Sequence, residues 1–344
     1  MSGITAYGAY IPRGRLSKQA IAEANSWFDA SLKSLGRGER AICNWDEDSI
    51  TMAVEAANNC LCSKPDIDLS SLYLASTTFP FLDRQNSVVV SEALNLNKSI
   101  RTMDVGGSQR AATSALISLL DSSAEGDSVL IASEHRRSKA GSRAEMLWGD
   151  SAAAVLVGKN NVIAECLAIE SLAVDFVDHY RGEDANFDYD WEERWIRDEG
   201  FMKSVPIVVN KLIESSSVSP EQINHFILPT DQARTPAALA KKLSINPEAV
   251  VDNQIAEVGV AGAAQPILLL AKTLENAKPG EHILLIGFGQ GCDALLLKAT
   301  DAISNYKPSV GVSAALASRR EESNYNKFLS FNNLVERDIG KRAE

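Results

Sequence analysis

The chain has 344 residues, enough to bury a large core and, by length alone, to form about two domains. Hydrophobic residues make up 45% and aromatics only 6%, which excludes disorder and points to an aliphatic α/β interior. A net charge of -11 argues against an electrostatic grip on nucleic acid or anionic lipid, while leaving room for a locally basic pocket.

The chain opens on GITAYGAYIP (residues 3–12), which reads as a first strand with no signal peptide before it, and no apolar run reaches bilayer-spanning length. Five cysteines (Cys43, Cys60, Cys62, Cys166 and Cys292) form no disulfide framework, so a reduced, cytoplasmic protein is expected. Residues 68–80, DLSSLYLASTTFP, predict an apolar strand ending in small hydroxyl residues and Pro80. Residues 222–236, QINHFILPTDQARTP, repeat that plan up to Pro236. A second pair is clearer. SQRAATSALISLLDSSAEGDSVLIASE (108–134) and GAAQPILLLAKTLENAKPGEHILLIGF (262–288) each give a small-residue entry, a helix, a Gly turn and a buried strand.

Both pairs share one offset: Gly126 maps to Gly280 (280 − 126 = 154) and Leu72 to Phe226 (226 − 72 = 154). A repeat this long implies two similar α/β half-domains rather than a solenoid. The strands VLIAS and ILLIGFG are short continuous apolar runs, as in sheets covered on both faces. The Ala- and Ser-rich helix near Ala111 and its copy AGAAQPILLLAKTL suit burial between two sheets. A five-layer α-β-α-β-α sandwich follows, with halves at 1–160 and 161–300 and a tail at 301–344.

That arrangement is the thiolase fold, and the residues carry a family resemblance over roughly residues 1 to 300. GITAYGAYIPRGRLS, GRGERAICNWDEDSITMAVEAA and STTFPFLDRQNSVVVSEALNL resemble the first half of hydroxymethylglutaryl-CoA synthases and third-type ketoacyl-ACP synthases. WGDSAAAVLVG and ILLIGFGQGCDALLL resemble their glycine-rich floor. Within that group the chain looks most like the synthase-like subunits of multicomponent acyltransferases and thiolases. The resemblance implies a coenzyme A thioester as ligand, with no permanently bound cofactor. It also implies a homodimer, or a heteromer with a thiolase and a zinc-ribbon/OB-fold protein; NYNKFLSFNNLVERDIGKRAE (324–344) resembles the helical segment before such a ribbon.

Claisen chemistry on acyl-CoA needs a thiolate to accept the acyl group and an imidazole or amide to hold the thioester oxygen. The resemblance places the family's cysteine at Gln109, its histidine at Pro229 and its asparagine at Glu257. All three roles are altered, which implies a subunit that is silent or dependent on partners. Gln109 retains two readings: an amide that holds an enolate oxygen, as in decarboxylating relatives, or a structural and ligand-contacting residue. Asp231 and Glu257 are expected to face one cavity, where paired carboxylates perform acid–base work or are simply solvated. Cys292, in GFGQGCDA, is an outside candidate for the nucleophile, against the reading of a buried small hydrophobe. The alternatives at this point are a cysteine-independent acyltransferase or decarboxylase, and a non-catalytic acyl-CoA-binding scaffold.

One further segment, FVDHYRGEDANFDYDWEERWIRDEG, interleaves aromatics with both charge signs. Arg181, Arg194 and Arg197 are candidates for holding a phosphate or carboxylate. Trp191 and Trp195, four apart, would share a helix face in a pocket lid, a partner-facing helix or a plain amphipathic cover. No Cys/His spacing suggests a metal site. His135, ending a strand in EHRRS, reads as structural or exposed. From about Asp301 the chain turns polar and free to reach a partner, with Tyr325, Phe328, Leu329 and Phe331 favouring docking.

Overall fold

The structure, a computed structural model, describes residues 2–64, 67–122 and 126–338. The last six residues of the proposed docking tail, 339–344, lie outside the described residues. The first part of the chain supplies β1 (Gly3–Tyr10), β2 (Gly14–Ser17), α1 (Lys18–Asn25), β3 (Glu39–Ile42), α2 (Ser49–Leu61) and β4 (Leu69–Ala75). It continues with α3 (Asn86–Ala93), β5 (Arg101–Val105), α4 (Ala111–Leu120), β6 (Asp127–Glu134), α5 (Arg143–Leu147) and β7 (Ser151–Gly158). The second part brings β8 (Ala164–Ala173), β9 (His179–Tyr180), β10 (Tyr189–Asp190), α6 (Glu193–Trp195), α7 (Met202–Ser216) and β11 (Ile223–Ile227). Then follow α8 (Thr235–Lys242), α9 (Gln265–Leu274), β12 (His282–Phe288), β13 (Gly291–Ala299), α10 (Val312–Ala317), β14 (Arg320–Glu322) and α11 (Tyr325–Phe331).

The main strands run in the order β11-β12-β13-β8-β1-β7-β6-β4-β5. In the first half β4 and β6 are parallel, while β6/β7 and β7/β1 are antiparallel. The second half repeats these directions in β11/β12, β12/β13 and β13/β8. Among the described residues two pairs, Gly3 with Glu165 and Ile4 with Ala164, splice the two sheets edge to edge. The offset seen in the sequence recurs in space, since α4 starts at Ala111 and α9 at Gln265 (265 − 111 = 154). The second copy reduces the fifth strand to a single bridge between Phe226 and Val250.

The layers follow from composition. An Asp48 capping box starts α2, the Asp48 carboxylate accepting from the Ile50 and Thr51 amides while Thr51 returns a bond to Asp48, and α2 covers β1, β6 and β7. On the far side α7 covers β8 and β13. Between the sheets lie α4 and α9, whose buried Ala111, Ala112, Ala115 and Ala271, with Ala264 just ahead of α9, let backbones approach closely. The approach is tightest at Gly287 of β12, where a Cβ would fall 2.0 Å from Thr113 Oγ1. The five-layer α-β-α-β-α thiolase fold expected from the sequence is therefore present. No helix among the described residues is long and apolar enough to cross a membrane, and all five cysteines are free.

The tail departs from expectation. Rather than reaching away, β14 pairs with β2, and α11 buries Tyr325 and Phe328 in a cluster with Leu16, Ile21 and Trp148. The physical reason is an acceptor the local sequence does not reveal: Tyr325 Oη donates to Oε2 of buried Glu145 at 2.8 Å, and Arg40 stands over the Phe328 ring. Tyr325→Phe should therefore cost about 1.5 kcal/mol in a urea titration, the typical loss for a hydrogen bond to a charged acceptor. An unchanged midpoint would show that α11 is not held there.

Candidate active site

The site forms where the N-terminal end of α4 meets the second half of the chain. Ser108 Oγ donates to the Gly289 carbonyl at 2.9 Å, tying the helix entry to the β12–β13 turn. Arg110 lacks a capping side chain and instead donates to Asp293 Oδ1 at 2.9 Å. Asp293, 1% exposed, also accepts from Thr113 (2.9 Å), Ser114 (2.7 Å) and Ser171 (2.8 Å). This buried hub fixes α4, β8 and β13 against one another.

Gln109, just ahead of α4, is thereby aimed at a small cavity of about 110 Å³, whose lining also includes Arg136, His179, Asp190, Pro229 and Asp231. Its Nε2 lies 3.2 Å from His179 Nε2, and His179 Nδ1 lies 2.9 Å from an Asp178 oxygen. With Nδ1–H donating to Asp178, the free Nε2 lone pair accepts from the Gln109 amide. Gln109 Oε1 is buried without a partner. The opposite wall is Gly262, at φ +45°, where a Cβ would sit 2.6 Å from Gln109 Oε1 and 3.0 Å from Glu134 Oε2. Arg136 supplies the positive charge: it lies over the Trp148 ring at 3.5 Å and donates to Asp188 at 2.6 Å. Burial pushes the Asp231 carboxyl up, partly opposed by Arg143 and Arg136. Burial likewise raises Glu134, against its bonds from Thr77 and the charge of Arg136. At Asp188 burial is outweighed by Arg136 and Arg181, which hold the carboxyl below its usual range. A larger hollow of about 590 Å³ shares His179 and is lined by Ser76, Thr77, Gly107, Arg137 and Arg181, among others.

Of the residues marked in the sequence, Gln109, Pro229 and Asp231 do come together. Glu257 does not. The Glu257, Val258 and Gly259 amides all donate to the Gln254 carbonyl, a turn entered through Gln254 at φ 55°. That turn directs Val258 inward and leaves Glu257 exposed in a separate hollow with Ser17, Glu39 and Arg319. Asp231 and Glu257 are thus not a pair. Cys292 is also corrected: it is 0% exposed within the apolar layer beneath α7, and burial followed by the Asp293 charge drives its thiol well above the ordinary range. The three arginines do not converge either. Arg181 bonds Asp188 at 2.6 Å, Arg194 is exposed, and Arg197 pairs with neighbouring Asp198. Nor do Trp191 and Trp195 share a helix, because extended Glu192 caps α6 at Glu193. Trp191 packs on Tyr189 and Trp195 on Phe176.

The sequence gives little sign of Arg136, Glu134 or the Asp178–His179 pair. Their one trace is that EHRR follows a buried strand directly, and that His179 opens the charged aromatic segment.

Comparison with known proteins agrees with this fold. Residues 213–298 match the family model for the C-terminal part of 3-oxoacyl-[acyl-carrier-protein] synthase III. The chain is 28% identical over 334 residues to hydroxymethylglutaryl-CoA synthase of Aeropyrum pernix, covering 94% of this chain and 92% of that protein. It superposes on MvaS in complex with 3-hydroxy-3-methylglutaryl coenzyme A with a TM-score of 0.81 at 17% identity, over 96% and 91% of the two chains. On 3-oxoacyl-[acyl-carrier-protein] synthase III of Aquifex aeolicus the TM-score is 0.73 at 22% identity, over 87% and 100%. With its duplicated sheets and a cavity at the head of α4, the chain has the thiolase fold of these structures and is similar along nearly its whole length to hydroxymethylglutaryl-CoA synthases.

Proposed function

We propose that the chain is a coenzyme A thioester-binding subunit of an assembly that makes or breaks carbon–carbon bonds in acyl-CoA, and that it forms no acyl-enzyme of its own. One observation carries this reading. The head of α4, where the resemblance places a thiol, holds the Gln109 amide bonded to His179, and among the described residues no cysteine lines either adjoining cavity. The acyl-accepting cysteine then belongs to a thiolase partner, with a zinc-ribbon/OB-fold protein as the third component. The neighbour crystallised with 3-hydroxy-3-methylglutaryl coenzyme A supports a thioester of this kind as ligand. A second copy has a ready place at the edge strand β5, flanked by exposed Phe81, Leu82, Val88 and Met103.

Incubation with acetyl-CoA should leave the intact mass unchanged, while calorimetry detects thioester binding and turnover requires the thiolase and zinc-ribbon proteins. A stable acyl adduct on this chain would overturn the proposal.

A second reading rests on the Asp178–His179 pair. An oriented imidazole beside Gln109, facing a carboxyl raised by burial at Asp231, has the composition of an acid–base site that works without cysteine. Turnover by the isolated chain that is lost in both His179→Ala and Gln109→Ala would favour it.

A further inference from the structure

Three side chains distant in sequence meet at one end of the first sheet. Cys43 follows β3, His135 follows β6 and Asp150 precedes β7. The Cys43 sulfur, one His135 ring nitrogen and an Asp150 carboxylate oxygen all lie within 4.8 Å of one another. Cys43 is 4% and Asp150 1% exposed, and the His135 side chain is 20% exposed. The contacts inside this cluster are unusual. His135 Nδ1 stands 3.2 Å from Asp150 Oδ2, yet it is buried without a hydrogen-bond partner. Asp150 Oδ1 is likewise buried and unpartnered. Asp150 Oδ2 is steadied by the Cys43 backbone amide at 2.8 Å. His135 Nδ1 and Asp150 Oδ2 face each other as an ion pair, and with the unpartnered Asp150 Oδ1 and the Cys43 sulfur beside them they gather three donor groups around one point.

We propose that Cys43, His135 and Asp150 bind a zinc ion. The donor set is thiolate, imidazole and carboxylate, which suits this borderline-soft cation better than the oxygen-seeking Mg²⁺ or Ca²⁺. Zn–N and Zn–O bonds of about 2.0–2.1 Å at tetrahedral angles put the two ligand atoms about 3.3 Å apart, close to the observed 3.2 Å. The sulfur completes the set, within 4.8 Å of both. Charge balances: the thiol releases its proton to solvent on binding, so a thiolate and a carboxylate neutralise the dication around a neutral imidazole. Three protein ligands leave a fourth position open. Two hollows give access, since Cys43 borders one of about 270 Å³ and His135 borders the 590 Å³ hollow beside the candidate active site. Ligands drawn from positions 43, 135 and 150 have none of the short spacing by which sequence reveals zinc sites.

The test uses the full-length chain, stripped with a chelator and titrated with Co²⁺ as a spectroscopic substitute for Zn²⁺. One equivalent should produce a near-ultraviolet thiolate-to-cobalt band and visible bands of four-coordinate cobalt, both erased by added Zn²⁺. Cys43→Ser should remove the near-ultraviolet band. His135→Gln should weaken Co²⁺ binding at least tenfold, and Cys62→Ser should leave it unchanged. Circular dichroism confirms that each variant is folded, and either of the first two suffices if the other fails to fold. A featureless spectrum of the folded wild-type chain, or bands retained in both Cys43→Ser and His135→Gln, would overturn the proposal.

Discussion

Replacing Asp293 with alanine is expected to destabilise the protein by about 3–5 kcal/mol, the range seen when one member of a buried ion pair is removed. The carboxylate is 1% exposed and serves four donors: Arg110, Thr113, Ser114 and Ser171. Its loss leaves the Arg110 guanidinium without its ion partner and the Ser114 and Ser171 hydroxyls without their acceptor, while Thr113 keeps the Arg110 carbonyl. The damage also falls where the site is built, because Arg110 directly follows Gln109 and its bond sets the entry angle of α4. Thermal and urea unfolding should both shift, and thioester binding should weaken even at temperatures where the variant stays folded. Asp293→Asn, which keeps one acceptor and the volume, should lose less than half as much. If Asp293→Ala unfolds within about 1 kcal/mol of wild type, the hub contributes nothing beyond an ordinary surface pair.

The second large effect is expected at Gly149. A Cβ there would lie 1.8 Å from the Val258 carbonyl oxygen, and backbone cannot swing aside as a flexible side chain can. Facing it, Gly259 adopts φ +91° with its own Cβ position 2.6 Å from Trp148 backbone atoms. Two glycines thus press the halves together, and Val260 N donates to the Leu147 carbonyl at 2.8 Å beside them. Gly149→Ala has to force this junction apart, at a cost of about 3 kcal/mol. Because Trp148 and Val260 both line the small cavity, calorimetry should show acyl-CoA affinity falling with stability. Gly182→Ala is the control, with nothing within 4 Å of its added carbon, and should change neither quantity. Equal unfolding midpoints for the two variants would show that the junction tolerates a side chain.

How much of this was legible in the sequence depends on the range of each interaction. The duplicated core was legible because its cause is local: apolar strands such as Val129–Ala132 and Ile283–Ile286 are buried wherever they occur, and the shared offset links them. The head of α4 was legible for the same reason, through its small residues. Glu257 was misplaced because position along the chain does not reveal the positive φ at Gln254 that turns it outward. Arg194 and Arg197 shared a segment with Arg181, yet α6 and the turn before it carry them to different surfaces. Tyr325 looked free because its acceptor, Glu145, lies in the other half of the sequence. His179 was hidden similarly: only folding brings the short β9–β10 hairpin over residue 109.

The matched starts of α4 and α9 have a consequence of their own. Gln109 corresponds to Ala263 (263 − 109 = 154), and neighbouring Gly262 touches the Gln109 side chain across the cavity. Two separate, identical halves meeting in this way would present the same residue from both sides, related by a two-fold rotation, so whatever they did would be done in duplicate. Joining them in one polypeptide breaks that symmetry. One helix start is free to offer an amide while the other retreats to a methyl group, giving a single pocket with a direction. The asymmetry of the pocket thus begins with the covalent link between the halves rather than with any one side chain.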